Sequence, residues 1–205
     1  KILFLANPNN PDGGIITHQD FQQIINLTVM VVLDEAYIEF ADQGKTYIPE
    51  VSKVPNLIVL RTFSKWAGLA GLRIGYGVFP QGIAPVVMKA KQPYNVSVAA
   101  EEAAIITIQN LSKAEERINK IIEQREWLFD ELSKLRELSP YPSQTNFILC
   151  KVIDGSALQI RDQLRKQGIL IRYFDKPGLQ DHIRISIGTE EQNQLLLSNL
   201  KGILT

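Results

Sequence analysis

One cysteine and two histidines among 205 residues leave little material for metal or disulfide chemistry. Cys150 has no partner for an internal bridge. With only His18 and His182 beside it, the ligand spacing of a zinc site cannot be assembled, so no metal is expected. Charge of one sign is also lacking: 22 basic and 22 acidic residues cancel. That removes the electrostatic footprint of a nucleic-acid binder or of a protein seated on an anionic membrane. No apolar run approaches the roughly 20 residues that span a bilayer, and the chain does not open with a charged-then-apolar signal segment. Repeats, low-complexity tracts and a G-x-G-x-x-G turn are missing too, and the last absence counts against a dinucleotide-binding domain. What remains is 45% apolar and 21% charged, an ordinary soluble composition for one domain or two small ones. The expected compartment is the cytoplasm, or a plastid in a photosynthetic eukaryote.

The first hundred residues alternate strand and helix signals. Ile2 to Leu5 is a short apolar run ending at Asn7-Pro8, and a strand this near the first residue is expected of a chain whose front is missing. Thr17 and Asp20 mark a helix start, and Phe21, Ile24 and Ile25 supply its apolar face. The runs Val29 to Leu33, Leu57 to Leu60 and Ile74 to Phe79 are apolar on both faces, as in sheets covered by helices on both sides. From Val98 to Leu138 the period becomes helical, as one long helix or two, with capping-box spacing at Ser112 and Glu115 and an end at Pro140 and Pro142. A smaller α/β unit follows, with strands 147–153, 169–173 and 183–187 and helices 156–167 and 190–204. The expected division is 1–110, part of a doubly wound, mostly parallel α/β domain, and 111–205, a small domain entered through the long helix.

Polar groups stand where these apolar strands end. Asp34, Glu35 and Tyr37 close one strand, and Thr62, Ser64 and Lys65 close the next. Ligands of open parallel sheets bind outside the carboxyl ends of strands, so both loops are expected to face one crevice. Taken singly, Asp34 reads as a turn cap and Lys65 as a surface charge. Asn10 lies in the tight polar turn after the first strand, and Arg73 follows Lys65 among small residues that let backbone approach closely. Hydroxyls and a guanidinium around a lysine can hold a phosphate while the amine stays free for a carbonyl, which is the composition of a pyridoxal phosphate site.

The strings NPNNPDG, LDEAYIEF, LRTFSKWAGLAGLRIGYG, KQPYNVS and HIRISIG resemble, in order and along essentially the whole chain, the fold-type I aminotransferases and, within them, the histidinol-phosphate branch. Asp12 departs from the threonine common there, at a turn position. The resemblance implies a pyridoxal 5′-phosphate enzyme of histidine biosynthesis. Its reaction moves an amino group between histidinol phosphate, or the matching ketone, and the glutamate/2-oxoglutarate pair. Lys65 then bonds to the cofactor aldehyde and later serves as the base, Asp34 pairs with the pyridine nitrogen, and Tyr37 and Asn10 bind the phenolic oxygen. Thr62, Ser64 and Arg73 hold the phosphate. Arg184, which by pattern alone is the solvated face of a half-buried strand, becomes the substrate-carboxylate anchor, with Arg172 and Asn146 also near the substrate. Tyr94 and Asn95 are placed near the site by the same likeness. A homodimer with shared sites is implied, and the family's Gly-rich phosphate turn and ring-stacking aromatic precede residue 1.

Alternatives stay open within and beyond this reading. A threonine-phosphate decarboxylase or another aminotransferase shares the fold and cofactor. A non-catalytic pyridoxal phosphate-binding regulatory domain belongs to another class, and its usual basic DNA-binding segment is not in this chain. Cys150, Trp66 and Trp127 read as packing residues.

Overall fold

In a computed structural model, residues 1–42 and 44–204 are described. Their contacts divide into two units, 1–9 with 15–118, and 10–14 with 119–205.

In the first unit the β-branched runs pair side by side. Strands β1 (Ile2–Ala6), β2 (Met30–Asp34) and β3 (Leu57–Thr62) are parallel neighbours, and β4 (Gly75–Val78) joins β3 antiparallel, giving the order β1-β2-β3-β4. Helix α1 (His18–Ile25) starts where Thr17 accepts the Asp20 N–H at 3.1 Å. Its Phe21 is buried with Val31, Leu33, Leu57 and Val59 on one face of the sheet. The other face is covered less evenly, because Val32 and Ile58 are buried while Ile2 and Phe4 are 61% and 66% exposed. Between β2 and β3 the chain makes two short 3-10 turns, Ile38–Phe40 and Ile48–Glu50, in place of a crossover helix. Gly75 lets β4 come close, since a Cβ there would lie 2.5 Å from the Arg61 carbonyl oxygen.

After the short helix α2 (Ala84–Ala90), the helical stretch expected from 98 to 138 forms as two helices, α3 (Val98–Gln109) and α4 (Leu111–Ser133). The break is at Asn110, whose backbone N–H reaches the carbonyls of Ile106 and Thr107 and whose side chain also donates to Ile106. Ser112 therefore lies inside a helix and not at a cap; the cap that forms upstream is Ser97, which accepts from Ala100 N. Helix α4 ends at Ser133, before the prolines, and the next residues form strand β5 (Leu138–Pro140).

The second unit is a four-stranded sheet of antiparallel neighbours in the order β5-β6-β8-β7, with β6 (Phe147–Val152), β7 (Arg172–Tyr173) and β8 (His182–Ser186). The strand expected over 169–173 shrinks to two residues. Alternation sends Ile148, Cys150, Val152, Ile183 and Ile185 into a core with Leu128, Leu132, Leu164 and Leu200. Leu128 and Leu132 come from α4, Leu164 from α5 (Ala157–Lys166) and Leu200 from α6 (Glu190–Leu204). The box expected at the start of α6 forms: Thr189 N donates to Gln192 Oε1 at 3.0 Å, and Gln192 N to Thr189 Oγ1 at 3.4 Å. Cys150 is fully buried, and burial pushes its thiol up to about 12.

Candidate active site

Within the first unit, the polar loops at the carboxyl ends of β2 and β3 adjoin as the register requires. Asp34 sits beside Leu60, and Thr62, two residues on, sits beside Gly75. Asp34 is exposed, and its Oδ1 accepts the Ala36 N–H at 3.1 Å, which turns the chain toward Tyr37. The Lys65 ammonium lies 5.4 Å from the centroid of the Tyr37 ring, so the β2 and β3 loops bring an amine and a phenol together.

Thr62 organises the second loop. Its hydroxyl donates to the Ile74 carbonyl at 3.3 Å and accepts the Ser64 N–H at 3.0 Å, while Phe63 N also reaches Ile74 O. The Thr62 hydroxyl thus fixes the turn that carries Ser64, the next of the predicted phosphate donors. Arg73 sits one residue before Ile74 in the left-handed region, φ 55°, and its exposed guanidinium touches the Ala70 carbonyl at 3.0 Å.

The donor set suits pyridoxal phosphate. It has an amine for the aldehyde, a carboxylate for the ring nitrogen, a phenol, and a serine with a guanidinium for the phosphate, at the strand ends where α/β sheets bind ligands. Asn7 is a residue that the sequence reading missed. Fully buried, it donates its N–H to the Asp34 carbonyl at 2.9 Å and accepts from Ile16 N at 2.8 Å. Its Nδ2 is buried with no partner among the described residues. The Asn-Pro pair signalled a turn, and nothing in it signalled an anchor beneath Asp34.

Glu35, expected with Asp34 and Tyr37 to face the crevice, turns into the core instead, and no signal in the sequence marked Arg61. Glu35 is fully buried, and Arg61 lies between it and Glu39. Burial raises the Glu35 carboxyl above its usual range, opposed by Thr46, Tyr47 and Arg61, and burial pushes Glu39 up to about 7.

Within the second unit, Arg184 projects from the face of β8 opposite the core. Its Nη1 donates to Asn10 Oδ1 at 2.6 Å, and its guanidinium carbon lies 4.6 Å from the centroid of the Phe147 ring. The bond leaves Asn10 its Nδ2 to donate. Arg172 stands directly opposite Arg184 in the β7–β8 register, exposed, with its guanidinium carbon 5.5 Å from the centroid of Phe174. Two like charges in one cross-strand pair destabilise a sheet unless an anion joins them. Asn146 adjoins Phe147 and is tied by its carbonyl to Ile187 N at 2.9 Å. Tyr94 is 98% exposed with φ 58°, and Asn95 accepts from Lys91 Nζ at 2.6 Å; neither touches the predicted site residues among these contacts. Trp66 packs by Phe63 and Ala67, and Trp127 against the second core.

Among the described residues no group of His, Cys, Asp or Glu is arranged to hold a metal ion, and no helix is long and apolar enough to cross a membrane.

The chain is 46% identical over 200 residues to a histidinol-phosphate aminotransferase of Dehalococcoides mccartyi, covering 98% of the chain and 55% of that protein. It therefore spans about half the length of the curated relatives it matches. Among solved structures, it superposes on a histidinol-phosphate aminotransferase of Clostridium acetobutylicum with TM-score 0.92 at 30% identity, covering 99% of this chain and 64% of that one. An L-threonine-O-3-phosphate decarboxylase of Porphyromonas gingivalis gives TM-score 0.88 at 28% identity, with coverage of 99% and 64%. The Sinorhizobium meliloti histidinol-phosphate aminotransferase, in complex with pyridoxal-5′-phosphate, gives 0.88 at 33%, with coverage of 99% and 57%. The family model described as aminotransferase class I and II matches residues 1–200, and the chain belongs to that family.

Proposed function

We propose that the protein to which this chain belongs is a pyridoxal phosphate enzyme of histidine biosynthesis. It moves an amino group between histidinol phosphate, or its ketone, and the glutamate/2-oxoglutarate pair. The observation that carries the reading is Lys65 at the end of β3, its amine beside Tyr37 and its neighbours Ser64 and Arg73 supplying phosphate donors. When bound, the cofactor offers an aldehyde that condenses with amines and a ring that takes up electrons as the substrate Cα loses its proton.

The chain's residues divide the remaining work. Lys65 would bond to the cofactor aldehyde and, as a free amine, would move the proton between the substrate Cα and the cofactor's aldehyde carbon. Asp34 keeps the ring nitrogen protonated. Tyr37 and the Nδ2 of Asn10 donate to the phenolic oxygen, while Ser64 and Arg73 grip the phosphate and Thr62 sets the turn that presents Ser64. Arg184 binds the anionic end of either substrate, with Asn146 alongside, and Arg172 adds its charge where that end is a phosphate ester. A planar guanidinium pairs with either anion. Apolar side chains exposed on α2 and α3, Met88, Val98 and Ile106 among them, give a homodimer with shared sites a surface to bury. The cytoplasm, or a plastid, is the compartment.

The test uses the full-length protein. Borohydride reduction should bleach its visible band and fix the cofactor to Lys65, located by peptide mapping, and Lys65→Ala should lose turnover while folding normally. Label on another lysine sinks the assignment. Carbon dioxide release from threonine phosphate, without amino transfer from histidinol phosphate, replaces the aminotransferase with the decarboxylase.

A further inference from the structure

Behind the loops that carry the candidate site lies an ionic cluster to which no role above has been given. Parallel register and alternation place it. Asp34, Leu60 and Thr62 share one face of the sheet, while Arg61 falls on the other, at the end of the row Leu57, Val59, and Glu35 continues the row Val31, Leu33 beside it. Glu35 is fully buried. Its Oε2 accepts the Thr46 hydroxyl at 2.6 Å, and its Oε1 accepts the Tyr47 N–H at 2.7 Å. Arg61 Nε stands 3.6 Å from Glu35 Oε2, and Arg61 Nη1 stands 3.4 Å from Glu39 Oε1. These are ion-pair separations, longer than hydrogen bonds. Arg61 Nε and Nη1 and Glu39 Oε2 are buried without a hydrogen-bond partner among the described residues.

Two carboxylates, one fully buried and one partly, thus share one guanidinium. The ionisable groups facing Glu39 are Arg61 from β3 and Glu35 from the end of β2; Glu35 also faces Tyr47. With a proton on Glu39 the charges balance and Arg61 belongs to Glu35. Without it the cluster carries one uncompensated negative charge, and Arg61 is drawn toward Glu39.

We propose that Glu35, Arg61 and Glu39 are positioning residues for the candidate site: they clamp the ends of β2 and β3, hold Asp34 and Tyr37 against Thr62 to Lys65, and grip most firmly when Glu39 is protonated. The part concerning the cofactor rests on the reading of the site given above. The sign follows from the direction of the shift. An acid whose folded value is raised favours its protonated form, so the firm state is present below about 7 and is lost as pH rises through it.

Full-length protein, with and without pyridoxal phosphate, supplies the test between pH 5.5 and 8.5. Two quantities are followed: the hydrogen-exchange protection of the Tyr47 amide, corrected for intrinsic rate, and the dissociation constant for pyridoxal phosphate. Wild type should lose protection across pH 7, and Glu39→Gln should stay at the low-pH level throughout. Glu35→Gln should lower Tyr47 protection about ten- to a hundredfold, as expected for loss of a charge-assisted hydrogen bond, and weaken cofactor binding about tenfold. The proposal is overturned if Glu39→Gln keeps the wild-type inflection, or if Glu35→Gln loosens Tyr47 and leaves cofactor affinity unchanged. Exchange in the cofactor-free protein follows the clamp alone. Failure of the site reading shows separately, in the borohydride mapping of Lys65.

Discussion

Replacing Gly13 by alanine should damage both the stability of the second unit and its grip on an anion. Gly13 has φ +77°, and a Cβ built on it would lie 2.3 Å from Ser143 Oγ, 2.7 Å from Ser143 Cβ and 3.0 Å from Ser143 Cα. Rotating the serine relieves only the first contact, so the turn must lift. Left-handed backbone costs an alanine about 1–2 kcal/mol. Lifting breaks the 2.8 Å bond from Gln144 N to the Gly13 carbonyl and disturbs Ser143, whose hydroxyl donates to Phe147 O at 2.6 Å. Each such bond is worth about 0.5–1.5 kcal/mol, so the whole loss should be about 2–5 kcal/mol. Asn10 rides on the same turn, and losing its bond to Arg184 should weaken a phosphate-bearing substrate about ten- to a hundredfold. Urea unfolding of the full-length protein and titration with histidinol phosphate measure the two effects. Gly13→Asn separates the causes, because asparagine tolerates the left-handed region but still carries a Cβ. If steric contact dominates, it should be as unstable as the alanine variant. A Gly13→Ala protein within about 0.5 kcal/mol of wild type would refute the reasoning, since backbone strain alone exceeds that.

Two further outcomes follow from named contacts. Arg172→Gln removes a like charge opposite Arg184, so it should leave thermal stability unchanged or raise it by up to about 1 kcal/mol, while weakening histidinol phosphate more than glutamate; equal losses for both substrates would defeat the division of labour. Cys150, buried with its thiol pushed up to about 12, should resist iodoacetamide at pH 8 in the native protein and react only on unfolding, which mass spectrometry can follow.

The features readable from sequence were those with a local cause. Runs such as Val31 to Leu33 and Leu57 to Leu60 announce buried strands, and polar residues just beyond them mark the candidate site, because sheet ends are where side chains escape the core. The Thr17 cap and the Thr189–Gln192 box likewise depend on neighbours within one turn. Features set by distant partners were not readable. Leu132, Leu135 and Leu138 continue a helical period, yet Lys134 N and Leu135 N close three residues back on Glu131 and Leu132, and Leu138 pairs with Val152. Strand pairing there overrides a favourable local pattern. The polar turn after β1 reads as part of the first unit, but Asn10 and Gly13 bond to Arg184 and Gln144 and so join the second.

Register explains why the charged residues were the hardest to place. Arg61 in LRT and Glu39 in IEF read alone as solvated side chains, and no spacing rule links them. They meet because Asp34 aligns with Leu60, and a slip of one residue would turn Arg61 to the face of Thr62 and put Thr62 in its place. The same arithmetic sets Arg172 against Arg184. A buried acid sharing a guanidinium and two arginines paired across neighbouring strands both carry a cost, and hydrophobic patterning does not select them. Each lies one residue from, or within, the group of side chains assigned to cofactor and substrate. On the proposed function, the cost of the first is offset by holding Asp34 and Tyr37 in place, and that of the second by a bound anion.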